Sequence, residues 1–161
     1  MTPSTSKRQP SLRRHQRAFT LIELLLAVAV LALIAGVAVP VYRGYVLEAQ
    51  VGQAVQEVRQ MELILKDAVL DGRLPATLAE AGITGMTDPW GYAYQYLPIA
   101  GYPGNTNNAR KDKDEKPINS DFDLYSPGAD GETNKSLQSK KTDDDVFRGK
   151  NGGFVGLGRD Y

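Results

Sequence analysis

Residues 24–39, LLLAVAVLALIAGVAV, run for sixteen positions without a charged side chain, and residues 19–22 extend the apolar character upstream. About 20 residues, at roughly 1.5 Å each, cross the hydrocarbon core of a bilayer, so residues 19–39 are just long enough to span one as a helix. Lys7, Arg8, Arg13, Arg14 and Arg17 precede the run, and residues 1–18 hold no acid. Positive flanks stay cytoplasmic, which sends the remainder of the chain across the membrane. No small-residue site of the A-x-A kind closes the run, which passes through Gly36 and Pro40 into further helix-compatible sequence, so ordinary secretory cleavage is disfavoured. A plain single-span anchor leaves Glu23 unexplained, because a carboxylate within an apolar segment is costly to bury without a partner. In the first helical turn the same carboxylate could instead face headgroups and favour the helix dipole.

The totals exclude several function classes. A chain of 161 residues has room for one modest domain beside this segment. It has no cysteine, which removes disulfides, zinc-thiolate centres and thiol nucleophiles. The only histidine, His15, lies in the basic stretch, so histidine-based triads lose their base and no enzyme is expected. Taking the five basic side chains of residues 1–18 from 19 leaves 14 against 19 acidic ones, a net charge of about −5 for the rest. That sign argues against nucleic-acid binding, which demands basic surface.

The segment RAFTLIELLLAVAVLALIAGVAVP resembles the N-terminal signature of type IV prepilins and pseudopilins. The resemblance implies that prepilin peptidase cuts between Ala18 and Phe19, removes the leader and methylates the new amine of Phe19. Glu23 then becomes the fifth mature residue, and its role in the family is to pair with an N-terminal ammonium inside an apolar filament core. The family's residue before the cut is usually glycine, and here it is Ala18. Pro40 resembles the family's proline at the end of the apolar stretch; by removing a donor it should kink or locally melt the helix.

Beyond Pro40, Val51, Ala54, Val55, Val58, Met61, Leu65, Ala68 and Val69 follow the spacing of one helical face, with Gln53, Glu57, Arg59, Gln60, Glu62 and Lys66 on the other sides. The helix is expected to reach Asp71, with Gly72 as its cap and Pro75 beyond. Strand-like runs follow at residues 92–97, 122–125 and 153–157, between clusters of Gly, Pro, Asn and Asp. Residues 101–120 read as an exposed polar loop. The expected fold class is α+β and type IV pilin-like: a long N-terminal helix, transmembrane in its first half, packed on a small C-terminal antiparallel sheet. Its parts are a cleaved basic leader (1–18), a transmembrane and filament-core helix (19–40), an amphipathic second half (41–72) and a periplasmic head (73–161).

Within the head, DPWGYAYQY at residues 88–96 and DFDLYSPGADG at residues 121–131 resemble segments of the major pseudopilins of type II secretion. That resemblance implies a single-pass protein of the bacterial inner membrane, extracted into a homo-oligomeric helical filament with minor pseudopilins and an inner-membrane assembly platform. A pilus subunit for adhesion or motility shares the helix and the cleavage. It usually closes its C-terminal loop with a disulfide, for which cysteines are missing here.

Alone, the acidic triplet Asp143, Asp144 and Asp145 reads as a solvated charge cluster. The resemblance implies calcium at this loop, held by Asp130 of the D-G turn and by Asp145 with Asp143 or Asp144, with backbone oxygens near Ser126 and Pro127 completing the shell. The intervening KSLQSKK is longer and more basic than the family's usual stretch. In a cysteine-free domain a bound ion would tie this loop down as a disulfide otherwise does.

Overall fold

The computed structural model describes residues 19–68 and 73–161 of the chain. The leader, the Ala18 side of the cleavage site and the Gly72 cap lie outside the described residues. Two compact units are formed, one up to Tyr42 and one from Arg43 onward.

Helix α1 spans Leu21–Asp67, 47 residues. Leucine, alanine, glutamate and glutamine favour it throughout, and Lys66 complements the negative dipole end in its last turn. Pro40 lies inside α1, and helical residues continue on both sides of it, so of the two expected effects, a kink or local melting, melting does not occur. A proline removes one backbone bond from the ladder, and the turns on either side keep theirs.

The head is a four-stranded antiparallel sheet in the order β1-β2-β3-β4. Its strands are β1, Gln95–Pro98; β2, Phe122–Ser126; β3, Val146–Gly149; and β4, Phe154–Leu157. Tyr96 pairs with Leu124, Tyr125 with Phe147 and Arg148 with Val155. Side chains alternate across a sheet, so every second residue shares a face. On one face Phe122, Leu124, Val146 and Leu157 join Ala54, Val58, Met61 and Leu65 of α1 in a single core, which confirms the face read from the helical spacing. The other face carries Asp123, Tyr125 and Phe147; Arg110 lies over Tyr125, and Phe154 and Tyr161 pack on Phe147.

Three details differ from expectation. Strand β1 starts at Gln95, not at residue 92, because Asp88 Oδ1 accepts the backbone N–H groups of Trp90 and Tyr92 and folds that stretch into a turn. Strand β3 had no counterpart among the expected runs; VFRG carries an arginine where a core residue belongs, and it follows directly on three aspartates. Residues 101–120 are not simply an exposed loop. They include the 3-10 turn Pro103–Asn108 and bury Ala109, Arg110, Ile118 and Asn119.

Candidate functional site: the N-terminal helix and the acidic loop

At the start of α1, the Thr20 hydroxyl oxygen accepts the Glu23 N–H at 3.3 Å, and Glu23 Oε2 accepts the Thr20 N–H at 3.0 Å and its hydroxyl at 2.9 Å. This reciprocal pairing is a capping box, with Thr20 as N-cap and Glu23 three residues on. It assigns the carboxylate a local task that spacing within TLIE already encoded. Helix geometry thus holds Glu23 one turn from the Phe19 end, where its second oxygen stays available.

Every residue of α1 from Leu21 through Ala49 is exposed. Leu21, Ile22, Leu26, Leu33 and Val37 each leave about two thirds or more of their surface bare. Apolar side chains in such number are not left in water by a monomeric soluble domain. The helix is long and apolar enough to cross a membrane, and the qualifying stretch buries nothing within the chain.

In the head, the turn after β2 and the acidic triplet do meet. Asp130 N–H donates to Asp144 Oδ2 at 3.1 Å, and Gly128, at φ +71°, lies so close to the Asp144 backbone that a Cβ would sit 2.7 Å from its carbonyl carbon. Only glycine fits there. Asp130 Oδ1 is engaged by the Glu132 N–H at 2.7 Å, and Asp130 and Asp143 are both exposed. The backbone oxygens of Asp143 and Asp145 accept the N–H groups of Arg159 and Gly158. Ser126 and Pro127 are buried, and the Ser126 hydroxyl donates to Asp88 Oδ2 at 2.5 Å.

Asp145 is fully buried and faces an arginine: its Oδ2 accepts Arg110 Nη2 at 2.5 Å and the Thr133 hydroxyl at 2.6 Å. Burial pushes the Asp145 carboxyl upward, with Arg110 and Thr133 pulling it back. Among the described residues no group of three or more carboxylates or histidines converges on one point. The turn that carries Asp130 and the acidic triplet are thus brought together by the Asp130–Asp144 contact. Among the carboxylate oxygens of these four aspartates, Asp130 Oδ1, Asp144 Oδ2 and Asp145 Oδ2 accept protein donors.

Two buried arginines carry the head's electrostatics, and composition gave no sign of them. Arg148 on β3 donates from Nε to Glu62 Oε1 at 2.9 Å, from Nη2 to Asp121 Oδ2 at 2.6 Å, and stacks its guanidinium 4.1 Å from the Phe122 ring. Glu62, read as a polar-side residue, is in fact buried. Burial pushes both carboxyls up, yet hydrogen bonds from Arg148, with Lys66 at Glu62, outweigh it and leave both below the usual carboxylate range. The glutamate lies one helical turn beyond Val58, next to Met61 and Leu65 on the buried stripe; that position was the available signal.

Residues 13–39 match the prokaryotic N-terminal methylation motif. A type IV major fimbrial protein FimA of Dichelobacter nodosus is 31% identical over 97 residues, 60% of this chain and 55% of that protein. A fimbrial protein of Pseudomonas aeruginosa is 40% identical over 60 residues, 37% of this chain and 39% of its own length. A fimbrial protein of Neisseria meningitidis is 32% identical over 85 residues, covering 52% and 50%. The chain thus spans between about a third and little more than half of the curated relatives it matches. No solved structure matches it. The motif and these relatives support the type IV pilin family, and the fold, a long N-terminal helix on a small antiparallel sheet, is type IV pilin-like. No catalytic family is indicated among the matches.

Proposed function

We propose that this chain is a non-enzymatic structural subunit, held in the bacterial inner membrane by α1 with its head in the periplasm, and assembled by that helix into a homo-oligomeric filament. The observation that carries the reading is the exposed apolar surface of α1 combined with a single acid, Glu23, at its start. In a membrane that surface faces lipid; in a filament it faces other copies, and neither environment leaves it in water. Prepilin peptidase would cut between Ala18 and Phe19, and the freed Phe19 amine would pair with Glu23 of a neighbouring subunit. That ion pair fixes the axial register of one helix against the next.

The finer reading is a major pseudopilin of type II secretion, working with minor pseudopilins and an inner-membrane platform to drive folded proteins across the outer membrane. DPWGYAYQY, SPGADG and the absence of cysteine support it. The second reading, a pilus subunit for adhesion or motility, is supported by the fimbrial names of the relatives.

Mass spectrometry of membrane-extracted protein tests the shared core of both readings. A mature chain beginning at methylated Phe19 is expected; an intact leader, or a terminus beyond Pro40, rejects filament assembly. Deleting the gene then separates the two branches, since loss of exoprotein release marks the secretion filament and loss of surface fibres marks the pilus.

A further inference from the structure

We propose that Arg110 is the built-in cation of the C-terminal acidic loop, so that the head closes on the protein's own guanidinium and takes no divalent metal there. Arg110 comes from the 101–120 segment, and its atoms join four separate parts of the head. Its backbone N–H donates to Asp123 Oδ2 on β2 at 2.6 Å. Nη1 reaches the Thr133 hydroxyl at 3.2 Å, and Nη2 reaches Asp145 Oδ2 at 2.5 Å. The guanidinium carbon lies 4.2 Å from the centre of the Tyr125 ring and 4.9 Å from that of Phe147, which close over it until 2% of the residue is exposed.

This arrangement suits arginine, and it sets a fixed positive charge against the buried carboxylate of the acidic triplet. A guanidinium is weakly hydrated and planar, so it can be buried between aromatic faces while its fork holds two oxygens. A strongly hydrated divalent ion would need six or more oxygens at the same place, and it would lie against a fixed positive charge. The intervening stretch also supplies cations of its own: Lys141 Nζ pairs with Glu132 Oε2 at 2.8 Å. Arg110 Nε and Asp145 Oδ1 are buried without a partner, so the contact is single-pronged and is shared with Thr133. The inference holds for a secretion filament and for a pilus alike.

The test is the melting temperature of the full chain in detergent, measured at fixed ionic strength in chelator and in excess calcium chloride. The wild-type protein should melt at the same temperature in both. A calcium site filled 100-fold above its dissociation constant would raise the midpoint by about 10 °C or more, and such a rise overturns the proposal. Amide exchange on Arg110→Gln supplies the second arm. Residues 133–145 should lose protection while residues 54–65 of α1 keep theirs. Unchanged protection in the loop would reject Arg110 as its tie. Should Arg110→Gln fail to fold, the wild-type comparison still decides.

Discussion

Arg148 Nε donates to Glu62 Oε1 at 2.9 Å, joining β3 to α1 across 86 residues of sequence in a fully buried contact. The guanidinium is completely covered, and Asp121 takes its other edge, so one side chain neutralises two acids from different elements. Removing one partner of such a group leaves charge stranded in a low-dielectric interior, which costs more than the pair contributes.

Arg148→Met should therefore destabilise the head by on the order of 3–5 kcal/mol in urea denaturation. Lys66 also pairs with Glu62 at 2.8 Å, but its side chain is half exposed, so Lys66→Ala should cost only about 0.5 kcal/mol. Equal losses in the two variants would show that burial is not what gives Arg148 its weight.

The same pair sets the acid limb of stability. Glu62 and Asp121 are held below their ordinary values of 4.5 and 3.8 in the folded head. Their stabilisation is thus complete above those values and is lost as pH falls through the lower folded ones. Asp123 and Asp145, raised by burial, act in the opposite sense: what they contribute is full below 3.8 and disappears as pH rises through their folded values. Stability of the wild-type protein should fall as pH drops below about 4.5, and Arg148→Met should flatten that fall. A variant curve as steep as the wild type would assign the acid limb to other groups.

Gly152 has φ +95°, and a Cβ there would run into the Glu62 carboxylate, 3.0 Å from its Cδ. Gly82 has φ +79° and open space around its Cβ position. Alanine at Gly82 should cost about 1 kcal/mol through backbone strain alone, and alanine at Gly152 clearly more, because the Arg148 pair must shift as well. Chemical denaturation of both variants measures the difference.

At the other end, Thr20→Val removes the N-cap hydroxyl from the Glu23 N–H and should weaken the first turn by about 1 kcal/mol, read as faster amide exchange at residues 21–24 in micelles. Glu23→Gln keeps an oxygen for the cap and loses the charge. If the proposed assembly contact is right, Glu23→Gln lowers filament yield more than Thr20→Val does; the reverse order would make capping the dominant role of this turn.

Much of the molecule is encoded locally. Sixteen uncharged residues, the TLIE capping spacing and the Val51, Ala54, Val58, Met61, Leu65 stripe each lie within a few turns of one helix, so periodicity alone sets α1, its start and its buried face. The FDLY run announced β2 in the same way. Strand β3 escaped because its Arg148 looks like a surface residue until Glu62 and Asp121 are brought to it. The acidic loop is the clearest division. The sequence by itself determined that Asp130 would lie in a glycine-flanked turn, since glycine and aspartate punctuation is local chemistry, but it set the acidic triplet before the last strand, where the structure has β3 follow it. Only the tertiary structure decided that Asp145 faces Arg110, 35 residues away, because the partner of a buried charge is chosen by which segments the sheet brings together.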